Sequence, residues 1–406
     1  MMLAQLAWKN IWRNKARSLI VITAVALGLW AGSFIMAYAF GMIDQRLKDA
    51  IETEISHLQI HHPEYQEDND ALFAIPNSAQ KVQMLSSHPS VKSVAGRVLI
   101  FGMINSPSST AGGKLIGIDP EMEHQLTQLQ DQISEGQYLT DDDRNKIIIG
   151  EKLAKKLKVK LRSKVVLTFQ DVNKDIVAGA FRVKGIYKSH NSAIEELNIY
   201  TLGRDLSKLL GNGSEYHEIA LLLNNAEELD VFQNEIHQTF QELTVESWKD
   251  ISPELRLMIE TMDQSMIIFL AIILVALSFG IVNTMLMAVL ERVREIGMLM
   301  AIGMNQIRLF GMISLETIFM VMIAAPFGLL LAYVTIEYLG KYGLDLSSIY
   351  GEGYAQYGFK SMIYPDLAFE YYIRIMVLVL ITAILSSIYP AITALRLNPI
   401  TAIRKI

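Results

Sequence analysis

The chain has 406 residues, 51% of them hydrophobic and 19% charged, with a formal net charge of −6 and a mean hydropathy of +0.28. That balance excludes both a purely soluble domain and a bare helix bundle, and points to a membrane protein with a substantial soluble part. There is no cysteine, which excludes disulfides and thiolate metal sites.

Residues 1–17 predict a cytoplasmic interfacial helix. Leu3, Leu6, Ala7 and Ile11 fall on one face, and Trp8 and Trp12 suit the headgroup level. Lys9, Arg13, Lys15 and Arg17 make this stretch basic, with no acid among residues 1–18. The apolar run Leu19–Met42 follows, and the first transmembrane helix is set at 18–42. It is longer than the apolar core of about 7–15 residues expected of a cleaved signal peptide. Gly28 and Gly32, four apart, would let a second helix come close. Helical spacing persists through Ile43, Leu47, Ala50, Ile51 and Ile55, so the span is expected to continue outward as a stalk.

Residues 43–264 read as an extracytoplasmic domain with 34 acidic and 23 basic side chains between 44 and 263. The stretch 57–62 is strand-like, 78–88 helical and 91–104 strand-like. The same order recurs at 218–224, 225–243 and 244–248. Two such units flanking an insertion predict a split α+β fold. The insertion, about 105–215, reads as a β-rich lobe of mostly short strands. His57, His61 and His62 alternate on a strand with no carboxylate at a telling spacing, and are read as a strand edge rather than a metal site.

Ser252, Pro253 and Glu254 mark a helix start that runs into the second span at 265–290. The stretch 291–308 is too charged for lipid and too regular for a linker. It is expected to be a short helix at the membrane face, where a soluble partner can push on it. The third span is set at 309–339, interrupted by Pro326, and the fourth at 371–395, with Pro390 near its end. Prolines within spans are tolerated where neighbours satisfy the freed carbonyl. Glu316 lies near the start of the third span. It is expected at the cytoplasmic boundary, paired with Arg292, Arg294 or Arg308, the alternative being an intramembrane proton relay. A Gly- and Tyr-rich outer loop occupies 340–370, and 396–406 form a tail with Arg396, Arg404 and Lys405. Basic flanks at both ends and an even number of spans place both termini in the cytoplasm.

Residues 111–115 lack the upstream glycine and the hydroxyl residue of a phosphate-cradling loop. Neither a GxSxG nor an HExxH motif occurs. The chain is therefore expected to carry no catalytic site, cofactor or metal of its own, and to have no nucleic-acid partner.

Three segments in order, 6–32, 283–310 and 389–406, resemble the MacB/FtsX/LolC-LolE permeases of ABC transporters. The layout of one span, a large outer domain and three further spans is similar too. The resemblance implies a type VII, mechanotransmission permease. Such a permease has four transmembrane helices and an outer α+β domain of two lobes like Porter and Sabre. It works as a homo- or heterodimer with a separate dimeric ATPase that binds ATP and Mg. It further implies that 291–308 is the coupling helix, with Arg292, Arg294, Glu295, Ile296, Gly297, Met298, Met300, Ala301 and Gly303 against the ATPase. Met300 stands where relatives often have a basic residue. The stalks would be 43–56 and 252–266.

Release of lipoproteins from the bacterial inner membrane, as by LolC and LolE, is the favoured function, because the outer domain is large and the ATPase is expected on a separate chain. The alternatives are MacB-like export of a drug, peptide or toxin from the periplasm, and FtsX-like signalling to a cell-wall hydrolase. Membrane lipid and a periplasmic protein complete the expected partners.

Overall fold

The structure, a computed structural model, describes residues 2–13, 15–189, 191–350 and 358–396. The 351–357 part of the outer loop and the 397–406 tail, with Arg404 and Lys405, lie outside the described residues. The chain folds as two compact units. One comprises residues 1–43, 259–345 and 362–406, the other 44–258 and 346–361.

The first unit is built on helices α1 (Met2–Arg13), α2 (Lys15–Ala50), α3 (Pro253–Glu291), α4 (Val293–Ala301), α5 (Gln306–Tyr342) and α6 (Phe369–Leu395). Of these, α2, α3, α5 and α6 are long and apolar enough to cross a membrane. Lipid tails are as apolar as leucine, so such helices associate through close packing of small residues and through hydrogen bonds. Gly28 and Gly32 of α2 face α3, where an added Cβ would stand 2.7 Å from Leu277 Cδ2 or 2.8 Å from Ile273 Cδ1. A closer approach lies elsewhere: a Cβ on Gly328 of α5 would stand 2.6 Å from the backbone carbonyl of Ala26. Polar ties also cross the bundle. Trp30 Nε1 donates to Thr335 Oγ1 at 3.1 Å, Ser386 Oγ to Ser278 Oγ at 2.7 Å, and Ser387 Oγ to Ser314 Oγ at 3.0 Å. Pro326 and Pro390 lie inside α5 and α6.

The second unit holds a sheet of ten strands among the described residues: β1 (Leu58–His61), β2 (Val91–Asn105), β3 (Thr110–Ile118), β4 (Ile133–Gly136), β5 (Lys146–Gly150), β6 (Lys164–Gln170), β7 (Ile176–Tyr187), β8 (Asn198–Leu202), β9 (Glu218–Leu223) and β10 (Thr244–Ser247). Their order is β10-β1-β9-β2-β3-β8-β5-β7-β4, with β6 pairing β2 and β7. The first four strands in that order are antiparallel neighbours. With helices Ser78–Ser86 and Leu229–Thr239 they make the split βαβ arrangement. β2 serves both lobes: Val91–Arg97 pairs β9, and Val98–Asn105 pairs β3.

The inserted lobe is strand-rich as expected, with β3 to β8, but two details differ from the sequence reading. Not every segment of the lobe is strand, since it also carries helices Pro120–Thr127, Glu151–Leu157, Ser192–Leu197 and Gly203–Leu210. Strand β5 stops at Gly150, and the helix that follows buries Leu153, Ala154 and Leu157 on one side, an apolar spacing of helical rather than strand period. Nor is the histidine strand an edge, because β1 lies between β10 and β9. His61 is consequently buried, its Nε2 3.2 Å from Glu218 Oε2.

That histidine belongs to a buried charge cluster where the two lobes meet. Arg97, the last residue of β2 paired with β9, holds Glu123 through Nε at 2.8 Å and Nη2 at 2.7 Å, and Glu218 through Nη1 at 2.7 Å. Burial alone would raise the Glu218 carboxyl, but the Arg97 charge and the His61 contact overcome it and hold the carboxyl far below the usual range. Residues 346–350 and 358–361 of the outer loop join this unit, where Lys360 Nζ pairs with Asp49 Oδ1 at 2.6 Å.

Candidate functional site

The stretch expected to be a helix at the membrane face is α4, and both its ends are explained by local chemistry. At Arg292 the backbone leaves helical geometry (φ −107°, ψ 18°), which ends α3 and lets α4 start in a new direction. At the other end Gly303 has φ +98°, its N–H donates to the Met300 carbonyl at 3.1 Å, and the Met304 N–H donates to the Leu299 carbonyl at 3.0 Å. This pair of bonds is a Schellman stop, which needs a residue with positive φ. Asn305 then caps α5 by accepting from the Ile307 N–H at 3.2 Å. Gly303 thus ends the helix, a role separate from any contact with a partner.

The residues predicted to meet a partner divide by face. Arg294, Met298 and Ala301 are exposed, with Ile302 beside them 86% exposed, at spacings that share one side of the helix. Ile296 and Gly297 are buried, and Met300 is half-buried against the apolar core of the unit. Ile296, Gly297 and Met300 therefore anchor α4, and the outward surface carries Arg294, Met298, Ala301 and Ile302, with Glu295 at its edge. The physical reason is helical period: a nine-residue helix lying on a core must give one stripe to it.

Arg292 is turned inward. Its Nη1 lies 3.0 Å from Glu316 Oε1 and 3.3 Å from Glu316 Oε2, while Nη2 donates to the Asn10 carbonyl at 2.9 Å. One guanidinium so joins the α3–α4 corner to α5 and α1. Of the three arginines weighed as partners for Glu316, the structure selects Arg292. Glu295 reaches outward and pairs with Arg13, and Arg17 Nη1 pairs with Glu291 Oε2 at 2.8 Å.

α1 itself lies on the unit with Ala7 and Ile11 fully buried, and with Trp8 against Phe319 in a near-perpendicular contact at 6.0 Å between ring centres. Trp8 and Trp12 stay about half exposed (46% and 47%). A cavity of about 430 Å³ lies against α4, lined by Asn10, Arg292, Ile296, Met298, Ile302 and Glu316 among others.

Sequence reasoning read Arg13 and Arg17 only as topology signals, and did not single out Asn10 or Glu291. A signal was present in the matched spacing, since Arg13 and Arg17 are four apart, as are Glu291 and Glu295, although each pair straddles a junction between two helices. Among the described residues no group of three or more His, Cys, Asp or Glu is arranged to hold a metal ion. The geometry presents a capped, exposed helix fastened to its unit by ion pairs.

Comparison with known proteins adds the following. The FtsX-like permease C-terminal family matches residues 267–399, and the MacB-like periplasmic core domain matches residues 18–239. An uncharacterised ABC transporter permease of Methanocaldococcus jannaschii is 22% identical over 418 residues, spanning 98% of this chain and 96% of the relative. The solved periplasmic region of MacB from Actinobacillus actinomycetemcomitans is similar over 52% of this chain and 98% of its own, at 16% identity and a TM-score of 0.37. The extracellular domain of the noncanonic ABC-type transporter YknZ from Gram-positive bacteria is similar over 47% and 99%, at 19% identity and a TM-score of 0.34.

Proposed function

Since the chain belongs to the family of FtsX-like ABC transporter permeases that carry a MacB-like periplasmic core domain, we propose that it works as one of a pair of permease subunits moved by a separate ATPase dimer. In this reading the ATPase docks on Arg294, Met298, Ala301 and Ile302 of α4, and its closure is passed to the outer domain. The observation that carries the reading is that outward face: a helix stopped at both ends, presenting one cation beside an apolar surface with a flexible methionine at its centre. ATP and Mg belong to the partner. Both termini lie in the cytoplasm and the outer domain in the periplasm, with the spans in a bacterial inner membrane.

The cargo we propose is lipoprotein, released from that membrane. Extracting acyl tails costs about 0.8 kcal/mol per buried CH₂, so a force-generating device suits the task. A second reading, MacB-like export of a drug, peptide or toxin, draws support from the MacB-like core domain match over 18–239.

The test uses the tagged chain co-expressed with its ATPase. Met298→Asp and Arg294→Glu should each strip the ATPase from the purified permease without changing its yield. Undiminished ATPase retention by both variants overturns docking at α4. For the cargo, depletion that strands outer-membrane lipoproteins in the inner membrane supports release. Normal lipoprotein sorting with altered peptide or antibiotic sensitivity favours export instead.

A further inference from the structure

Resting on the reading of α4 as the ATPase-facing lever, we infer that the Arg13–Glu295 and Arg17–Glu291 pairs, with the Arg292–Asn10 bond, clamp α1 and the start of α2 to the end of α3 and to α4, so that one cytoplasmic push drives the first span together with the second. The outer domain is inserted in the chain between these two spans, α2 and α3. α4 follows α3 after a single residue, so load on α4 reaches α3 through the backbone. No such route leads to α2, because along the chain the whole outer domain intervenes.

Side chains supply the missing route. Arg13, the last residue of α1, pairs with Glu295 of α4. Arg17, in the first turn of α2, pairs with Glu291, the last residue of α3, at 2.8 Å. Arg292 Nη2 holds the Asn10 carbonyl at 2.9 Å. Exposure ranks these links. Arg13 and Glu295 are each about half exposed, and such a pair alone contributes little. Arg17 is 14% exposed but its partner Glu291 is about half exposed, whereas Arg292 is 12% exposed. The Arg292–Asn10 bond therefore gives the clamp most of its grip, and the fully buried Ala7 and Ile11 seat α1 on the apolar core, chiefly against α5. Arg13, Arg17, Glu291 and Glu295 are positioning residues, and α1 becomes the second arm of the lever as well as an interfacial helix.

The sequence contains no cysteine, so two spin labels at Ile35→Cys on α2 and Ser265→Cys on α3 report the span-to-span distance alone. The experiment uses the full chain with its ATPase in nanodiscs, with and without ATP. In the unmodified complex the distance should be the same in both conditions. With Arg13→Glu and Arg17→Glu together it should shift on ATP binding while the ATPase stays bound. The fourfold swap that adds Glu291→Arg and Glu295→Arg should restore the nucleotide-independent distance. Lys9→Glu, a charge change on α1 away from these pairs, should behave as the unmodified chain. The inference is overturned if the Arg13/Arg17 double variant matches the unmodified complex, or if the swap fails to restore it. Failure of the unmodified chain to retain any ATPase overturns the docking reading itself and is thereby distinguished.

Discussion

Arg292 Nη1 lies 3.0 Å from Glu316 Oε1, with the two side chains 12% and 6% exposed, so a cation at the α3–α4 corner meets an anion carried by α5. Breaking a buried pair by removing one partner costs about 3–5 kcal/mol, because the other charge is stranded. Glu316→Gln should therefore lower the thermal midpoint of the purified permease and reduce its yield. Replacing both residues with apolar ones, Arg292→Met with Glu316→Leu, should recover most of the stability but lose the hold on Asn10. Differential scanning of the single and double variants in the same detergent checks this. A single variant as stable as the parent would show that the pair contributes nothing.

The helix contacts predict a contrast between two glycines. A Cβ on Gly328 would stand 2.6 Å from the Ala26 carbonyl and 2.9 Å from the Ala26 Cα, both backbone atoms. A Cβ on Gly28 would meet the far end of the flexible Leu277 side chain at 2.7 Å. Overpacking costs about 1–3 kcal/mol when the neighbour cannot yield. Gly328→Ala should accordingly destabilise the bundle well beyond Gly28→Ala, as read by resistance to detergent-induced unfolding. Equal effects would mean that α2 and α5 separate freely.

Gly303 holds a conformation that costs an L-residue roughly 1–2 kcal/mol. Gly303→Val should loosen the stop between α4 and α5 and weaken ATPase retention. Asn305→Ala, which removes the cap of α5 at a cost of about 1 kcal/mol, should act in the same direction. Hydrogen exchange over 300–308 is the measurement, with faster exchange in both variants expected.

The charge cluster of the outer domain predicts a two-sided pH response. Burial would lower the His61 pKa, but the hydrogen bond to Glu218 and the nearby Glu246 carboxylate prevail and raise it above 6.5. Its contribution is thus complete below 6.5 and is lost as pH rises through the folded value. His57 behaves oppositely. Burial, aided by the Lys92 charge, lowers it to about 4, so its contribution is present above 6.5 and lost as pH falls toward 4. His61→Gln should flatten the alkaline arm of the stability curve and His57→Gln the acid arm. Thermal midpoints of the full chain from pH 4 to 9 test both, and an unchanged alkaline arm in His61→Gln removes His61 from the account.

Much of the architecture was legible in residue order. Apolar runs of bilayer length marked α2, α3, α5 and α6, and short apolar runs and period-3.6 patterns marked β1, β2, β9 and the helices Ser78–Ser86 and Leu229–Thr239. Gly303 and Asn305 encode the end of α4 and the start of α5 locally, yet the sequence reading ran the coupling helix through 291–308 and placed Gly303 against a partner, where the structure ends α4 at Ala301 and starts α5 at Gln306. Those features depend on residues within a few positions of each other, or on partition into lipid, and a sequence expresses both directly.

Tertiary structure decided the rest. Which stripe of α4 is outward depends on which core it lies against, and so Ile296 and Gly297 turned inward while Ile302 emerged. The pairing of Arg13 with Glu295 spans 282 positions, and the tie between Arg97 and Glu218 spans 121. The strand β2 divides its ladder between two lobes at Arg97, a choice made by the strands that come to lie beside it. Long-range partners of this kind are fixed by the packing of whole elements, and no local pattern in the chain encodes them.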